Sequence, residues 1–204
     1  MRLRRVAQST PGVVVFFSGG KDSLVTLDLC RRAFDRVMAC YLWVVPGLRC
    51  VEGPAEHLCR RWGVELIKLP HWTLIRYLQA GTYSLRRRGM GLKQQRWADI
   101  EAHIRQRTGL EWLAYGVRAD DSWVRRLQSR RFGTVNHRSQ RLHPVHDWRV
   151  AEVRDYLRAR RIPAPPADMW GQAGARSQGF ELTRTCLGWL RERFPSDYQR
   201  AKDF

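Results

Sequence analysis

Val13 to Phe17 is an unbroken apolar run that stops at Ser18-Gly19-Gly20, and a helical pattern opens at Asp22. A strand apolar at every position is covered on both faces, which is the condition of a parallel sheet layered between helices. Beyond Asp22, Leu24, Val25, Leu27, Leu29 and Cys30 form a broad apolar face before Arg31 and Arg32. The order strand, glycine turn, helix puts the backbone N–H groups of residues 18–23 at the positive end of a helix dipole, where they converge on an anion. Gly19 and Gly20 let the backbone approach it, Ser18 and Ser23 bring hydroxyls, and Lys21 adds a point charge. The run is not G-x-x-x-x-G-K-[ST], which disfavours a P-loop kinase or GTPase.

The alternation continues downstream. Val37 to Val45 reads as a second strand, Ala55 to Trp62 as a helix, and Val64 to Leu69 as a third strand ending at Pro70. Strands and helices in turn imply parallel βαβ units. His71 to Leu78 reads as a short helix, and Gly81 to Gly91, with Arg86-Arg87-Arg88, as a basic loop. Trp97, Ile100 and Ile104 mark a helix over Lys93 to Thr108 that ends at Gly109, and Glu111 to Val117 is a further strand. Arg126 to Arg141 is polar and Arg-dense and reads as a long surface loop. Val150, Val153 and Leu157 share a helix face that Pro163, Pro165 and Pro166 end. Ala167 to Thr183 reads as irregular and Cys186 to Phe194 as a last helix. The expectation is one α/β nucleotide-binding domain over residues 1–163 and a C-terminal tail, 164–204, packing on or near the active site.

Charge narrows the partners. The 204 residues carry 37 basic against 19 acidic side chains, a net +18, and only four of the basic residues are Lys. Guanidinium groups grip phosphate or sulfate oxygens in a planar, two-pronged fashion, so the excess points to an anionic partner. GC-rich codon usage explains the preference for Arg over Lys equally well, but explains the surplus of positive charge less well. No apolar run approaches the ~18 residues needed to cross a bilayer, and Met1-Arg2-Leu3-Arg4-Arg5 does not lead into a signal-like segment. A cytoplasmic location without membrane partners is expected. Cys30, Cys40, Cys50, Cys59 and Cys186 form no C-x-x-C pair and are odd in number, and the six His lack metal-site spacing. Neither a disulfide framework, a structural metal nor an iron–sulfur cluster is expected, and the first four cysteines are assigned to the interior.

Phe17-Ser18-Gly19-Gly20-Lys21-Asp22-Ser23 resembles the signature of the PP-loop ATP pyrophosphatases, the adenine nucleotide alpha-hydrolase superfamily. The resemblance implies a twisted, mostly parallel sheet with helices on both faces. It also implies that Ser18, Gly19, Gly20, Lys21, Asp22 and Ser23 hold the pyrophosphate of ATP or the phosphosulfate of an activated sulfate. Gly116-Val117-Arg118-Ala119-Asp120-Asp121-Ser122-Trp123-Val124-Arg125 resembles the G-x-R-x-x-x-S-x-x-R segment of phosphoadenylyl-sulfate (PAPS) reductases. That likeness makes Gly116, Arg118, Ser122 and Arg125 nucleotide contacts, with Lys21, Arg118 and Arg125 stabilising charge. His143-Pro144-Val145-His146-Asp147-Trp148, followed by Val153, Tyr156 and Leu157, is similar to a further segment of the same branch. Arg149 stands there in place of a helix-capping residue, leaving Asp147 to supply the cap, and Trp148 is assigned to the core.

The tail departs from the reductases, whose catalytic cysteine lies in an E-C-G-[LI]-H segment. Cys186 is the one late cysteine here, either a thiolate nucleophile activated by Arg184 or a helix N-terminus, or a buried helix residue. Three functions remain open. The first is an enzyme acting on PAPS, with a thiol reductant such as thioredoxin, or on ATP, with Mg²⁺ neutralising the pyrophosphate. The second is an enzyme that adenylates or thiolates nucleic acid, with Arg86, Arg87, Arg88, Arg126, Arg130, Arg131, Arg138 and Arg141 tracking a phosphate backbone. The third is a non-catalytic nucleotide-binding protein. A homo-oligomer is compatible with each.

Overall fold

One six-stranded sheet carries the fold. Its strands are β1 (Gly12–Phe16), β2 (Arg36–Trp43), β3 (Glu65–Pro70), β4 (Trp112–Tyr115), β5 (Val135–Asn136) and β6 (Arg141–Leu142), in the spatial order β3-β2-β1-β4-β6-β5. All neighbours run parallel except the β5/β6 pair. The computed structural model describes residues 2–80, 91, 93, 95–119, 133–163 and 184–204. The helices are α1 (Arg2–Ala7), α2 (Lys21–Arg31), α3 (Arg49–Trp62), α4 (Leu74–Ala80), α5 (Trp97–Thr108), α6 (Val150–Ala159), α7 (Arg184–Arg193) and α8 (Pro195–Asp203). Among the described residues no helix is long and apolar enough to cross a membrane.

β1 lies between β2 and β4, with Val13 opposite Val37 and Trp112 and Phe16 opposite Cys40 and Tyr115. Its side chains alternate between two cores. Val13, Val15 and Phe17 meet Leu24 and Leu27 of α2, Leu58 of α3 and Val153 and Leu157 of α6. Val14 and Phe16 meet Ile100 and Ile104 of α5. Both faces are therefore covered, as the continuous apolar run requires. The chain leaves β1 toward β2 and β3, then returns across the sheet to β4. The carboxyl ends of β1 and β4 thus flank a topological switch point, where such sheets open a ligand crevice.

Several expectations need correction. Residues 133–142 are not loop: β5 and β6 form a short hairpin, and β6 joins β4 through Leu113 opposite Arg141 and Ala114 opposite Leu142. Residues 126–132, the basic segment 81–90 and the stretch 164–183 lie outside the described residues. α3 begins at Arg49, six residues before Ala55, with Pro54 inside it. Its first turn is held by Asp197 of α8, whose carboxylate accepts the N–H groups of Arg49 at 3.0 Å and Cys50 at 2.7 Å. α7 and α8 pack Leu190 and Ala201 against Tyr41, Val45, Leu48 and Val51, at the carboxyl end of β2 and the start of α3. Asp147 is exposed and does not cap α6; the Glu152 carboxylate accepts the Arg149 N–H at 2.6 Å instead. Trp148, half-buried, packs against the core as expected, its ring edge-on to Tyr156 at 5.5 Å.

Candidate active site

The glycine turn sits at the carboxyl end of β1 and feeds α2. Gly19 has φ +76°, a conformation that L side chains rarely adopt, and among the described residues nothing lies within 4 Å of where its Cβ would be. Gly20 is the N-cap of α2 and brings no side chain to its first turn. The first-turn N–H groups have no intrahelical acceptor, so the donors of Lys21, Asp22 and Ser23 are offered to whatever enters above the turn. Ser23 donates its hydroxyl to the Gly20 carbonyl at 2.9 Å and lies 3.2 Å from the Ser18 hydroxyl. The two serines therefore brace the turn and can exchange these bonds for bonds to an oxyanion.

A second segment closes on this turn from β4. The Cβ of an alanine at Gly116 would lie 2.6 Å from the Ser23 nitrogen and 2.7 Å from the Asp22 carbonyl carbon and the Ser23 Cα. Only glycine permits that contact, and it brings the end of β4 onto the first turn of α2. Two residues on, Arg118 is 4% exposed and its Nε lies 2.9 Å from Asp22 Oδ1. Lys21 Nζ meets Asp22 Oδ2 at 2.7 Å, so one carboxylate orients both cations. The Ala119 N–H donates to the His146 carbonyl at 2.9 Å, tying this segment to residues 143–148. Of the site residues expected from sequence, Ser18, Gly19, Gly20, Lys21, Asp22, Ser23, Gly116 and Arg118 meet in one place. Ser122 and Arg125 lie outside the described residues.

Beside the crevice is a buried carboxylate that the sequence reading passed over. Glu101 of α5 accepts hydrogen bonds from Tyr115 Oη, from Trp97 Nε1 at 3.0 Å and from Arg141 Nη2 at 2.5 Å. Burial pushes the Tyr115 hydroxyl far above the usual phenol range, and the hydrogen bond to Glu101 pushes it further. His143 stacks on Tyr115 at 5.5 Å, and burial, with His146 and Arg141 nearby, lowers it to about 4. It is neutral at physiological pH. The one signal for this cluster was Arg141 beside an apolar Leu142, which is weak without the fold.

Cys186 lies in α7, buried, and burial raises its thiol to about 11. In this packing it is protonated at neutral pH. Its neighbour Cys50 is held well above the ordinary thiol range, by burial first and then by the hydrogen bond with Asp197. All five cysteines are buried, as expected for the first four.

Residues 12–167 match the family model described as Phosphoadenosine phosphosulfate reductase domain. The chain belongs to this family. A search of curated proteins finds no match. Among solved structures, the U34-tRNA thiolase NcsA of Methanococcus maripaludis, with its [4Fe-4S] cluster, is similar over 99% of this chain and 76% of its own, at 14% identity and TM-score 0.53. The PAPS reductase of Candida auris, in a phosphate complex, covers 80% of each chain at 15% identity and TM-score 0.50. The NH3-dependent NAD synthetase of Campylobacter jejuni, complexed with nitrate, covers 99% and 87% at 15% identity and TM-score 0.55. At these identities the likeness is one of fold, and the fold is the PP-loop α/β architecture.

The thiolase corrects one expectation. The absence of paired cysteines argues against a cluster, yet the thiolase, similar in fold over 99% of this chain and 76% of its own, holds [4Fe-4S]. Cluster ligands must be near in space, not in sequence, so cysteine spacing does not exclude a cluster from such a fold. Cys50 and Cys186 illustrate the point, far apart in the chain and neighbours in the interior. Among the described residues no three His, Cys, Asp or Glu side chains are grouped to hold a metal ion.

Proposed function

We propose that this protein is a PP-loop enzyme that binds an adenine nucleotide, PAPS or ATP, and acts at its sulfate or phosphate end. The supporting observation is the contact at Gly116, which sets Arg118 and Lys21 around Asp22 beside an open glycine turn. In this reading the terminal oxyanion accepts the N–H groups of Lys21, Asp22 and Ser23. Lys21 and Arg118 then stabilise the charge that develops on the leaving group, with Ser122 and Arg125 completing the shell. The Asp22 carboxylate keeps the two cations in place before the nucleotide arrives, so little reorganisation remains at the moment of reaction. Residues 1–163 form the nucleotide-binding unit and 164–204 the tail beside it.

On PAPS the chemistry is reductive and draws on a thiol donor such as thioredoxin; on ATP it is adenylyl transfer with pyrophosphate release. Cys186 would serve as the nucleophile only after α7 gives up the packing that keeps its thiol protonated. The test is a thermal-shift screen with PAPS, ATP and adenosine 3′,5′-bisphosphate, followed by turnover on whichever binds. Sulfite from PAPS, or AMP plus pyrophosphate from ATP, is expected, with loss of binding in Lys21→Ala and Ser23→Ala. Equal binding by those variants, or neither product from either nucleotide, overturns the proposal.

A further inference from the structure

The last turn of α3 and the outer face of α6 enclose an open groove of about 560 Å³, lined by Arg61, Arg154, Arg158 and Arg161 over Leu157 and Ile162. The four arginines are exposed, while Leu157 and Ile162 are buried. Arg154 and Arg158 stand one helical turn apart, a like-charged pair that works against the helix. Arg161, just past the helix end, has φ +52°, a conformation usually left to glycine or asparagine. Among the described residues the one carboxylate paired with these arginines is Asp155, at 3.2 Å from Arg158. Among the described residues no ion pair joins Arg61, Arg154 or Arg161.

The groove is remote from the glycine turn. Arg31, at the far end of α2, lies 4.9 Å over the Trp62 ring, next to Arg61. The eleven residues of α2 separate that end from Gly20 by about 16 Å. A ligand in the groove therefore does not occupy the nucleotide crevice.

We propose that this groove is a docking surface for single-stranded nucleic acid. Four guanidinium groups in a concave strip attract a chain of phosphates rather than one small anion. The planes of these exposed guanidinium groups stack on unpaired bases, which an acidic peptide lacks and a duplex keeps buried. The proposal stands on different residues from the nucleotide reading, so either can fail alone.

The experiment is fluorescence anisotropy with a labelled 20-nucleotide single-stranded RNA, titrated with the full chain from low to moderate KCl. Four phosphate contacts give a slope of log affinity against log salt of about −3, at about 0.7 per contact. Arg154→Gln with Arg158→Gln keeps the aliphatic stems over Leu157, weakens binding about tenfold or more and flattens the slope by about 1.4. Nucleotide thermal shifts stay as in the parent, which also shows that the variant is folded. The proposal is overturned if the double variant binds with the parent's affinity and slope. It is equally overturned if duplex RNA or a glutamate-rich peptide of equal charge competes as well as the single strand, or if ATP displaces the RNA.

Discussion

Gly116→Ala isolates the contact on which the site depends. The new methyl group would lie 2.6 Å from the Ser23 backbone nitrogen and 2.7 Å from two backbone carbons of the same turn. Optimal separations are nearer 3.5–4.0 Å, and backbone atoms cannot rotate aside as a side chain end can. Either the end of β4 or the first turn of α2 must move by roughly 1 Å. Overpacking of this kind costs about 1–3 kcal/mol. In a domain of this size each kcal/mol lowers the melting temperature by about 2–4 °C, so the expected fall is about 2–12 °C. The same movement draws Arg118 away from Asp22 and misaligns the first-turn N–H groups, so nucleotide affinity drops about tenfold or more. Gly53→Ala is the control: nothing lies within 4 Å of its Cβ position inside α3, and it gains about 0.5–1 kcal/mol. Scanning calorimetry and a binding titration decide the matter. A Gly116→Ala protein with the parent's melting temperature and affinity refutes the reasoning.

Three further outcomes follow from the packing. Asp197→Ala removes the acceptor for two N–H groups at the start of α3 and lowers unfolding free energy by about 2 kcal/mol in urea, whereas Asp197→Asn loses less. Burial alone would raise the Asp28 carboxyl, but hydrogen bonds from Tyr156, Arg31 and Arg160 outweigh it and hold it below 3.8. Its contribution is complete above that value and is lost as pH falls below it, so Asp28→Asn flattens the acid limb of the stability profile. His143 has the opposite chemistry with the same sign. Lowered to about 4 from 6.5, it is protonated more readily when unfolded, so stability falls as pH drops between those values, by at most about 1.4 kcal/mol per unit, and His143→Phe removes that slope in urea titrations.

The parts of the fold legible in the sequence are those whose physics is local. β1, the glycine turn and α2 declare themselves because an apolar run, two glycines and a helical face are adjacent, and Gly109 marks the end of α5 by its left-handed φ of +68°. What stayed hidden depends on distant partners. β6 is two residues long and exists because β4 offers it hydrogen-bonding groups. The first turn of α3, followed at once by Gly53 and Pro54, reads as loop until Asp197 is seen capping it. Arg118 was legible as an anion-seeking residue, but its pairing with Asp22 was not, since nothing in the spacing of positions 22 and 118 announces it.

The bond between Asp197 and the start of α3 spans 148 residues, and it imposes an order on biogenesis. While the polypeptide is still emerging from the ribosome, the amino end of α3 must wait with its donors hydrated until α8 is clear. Only then is the apolar patch of Tyr41, Val45, Leu48 and Val51 covered, so it stays open to chaperones until both α7 and α8 have been made.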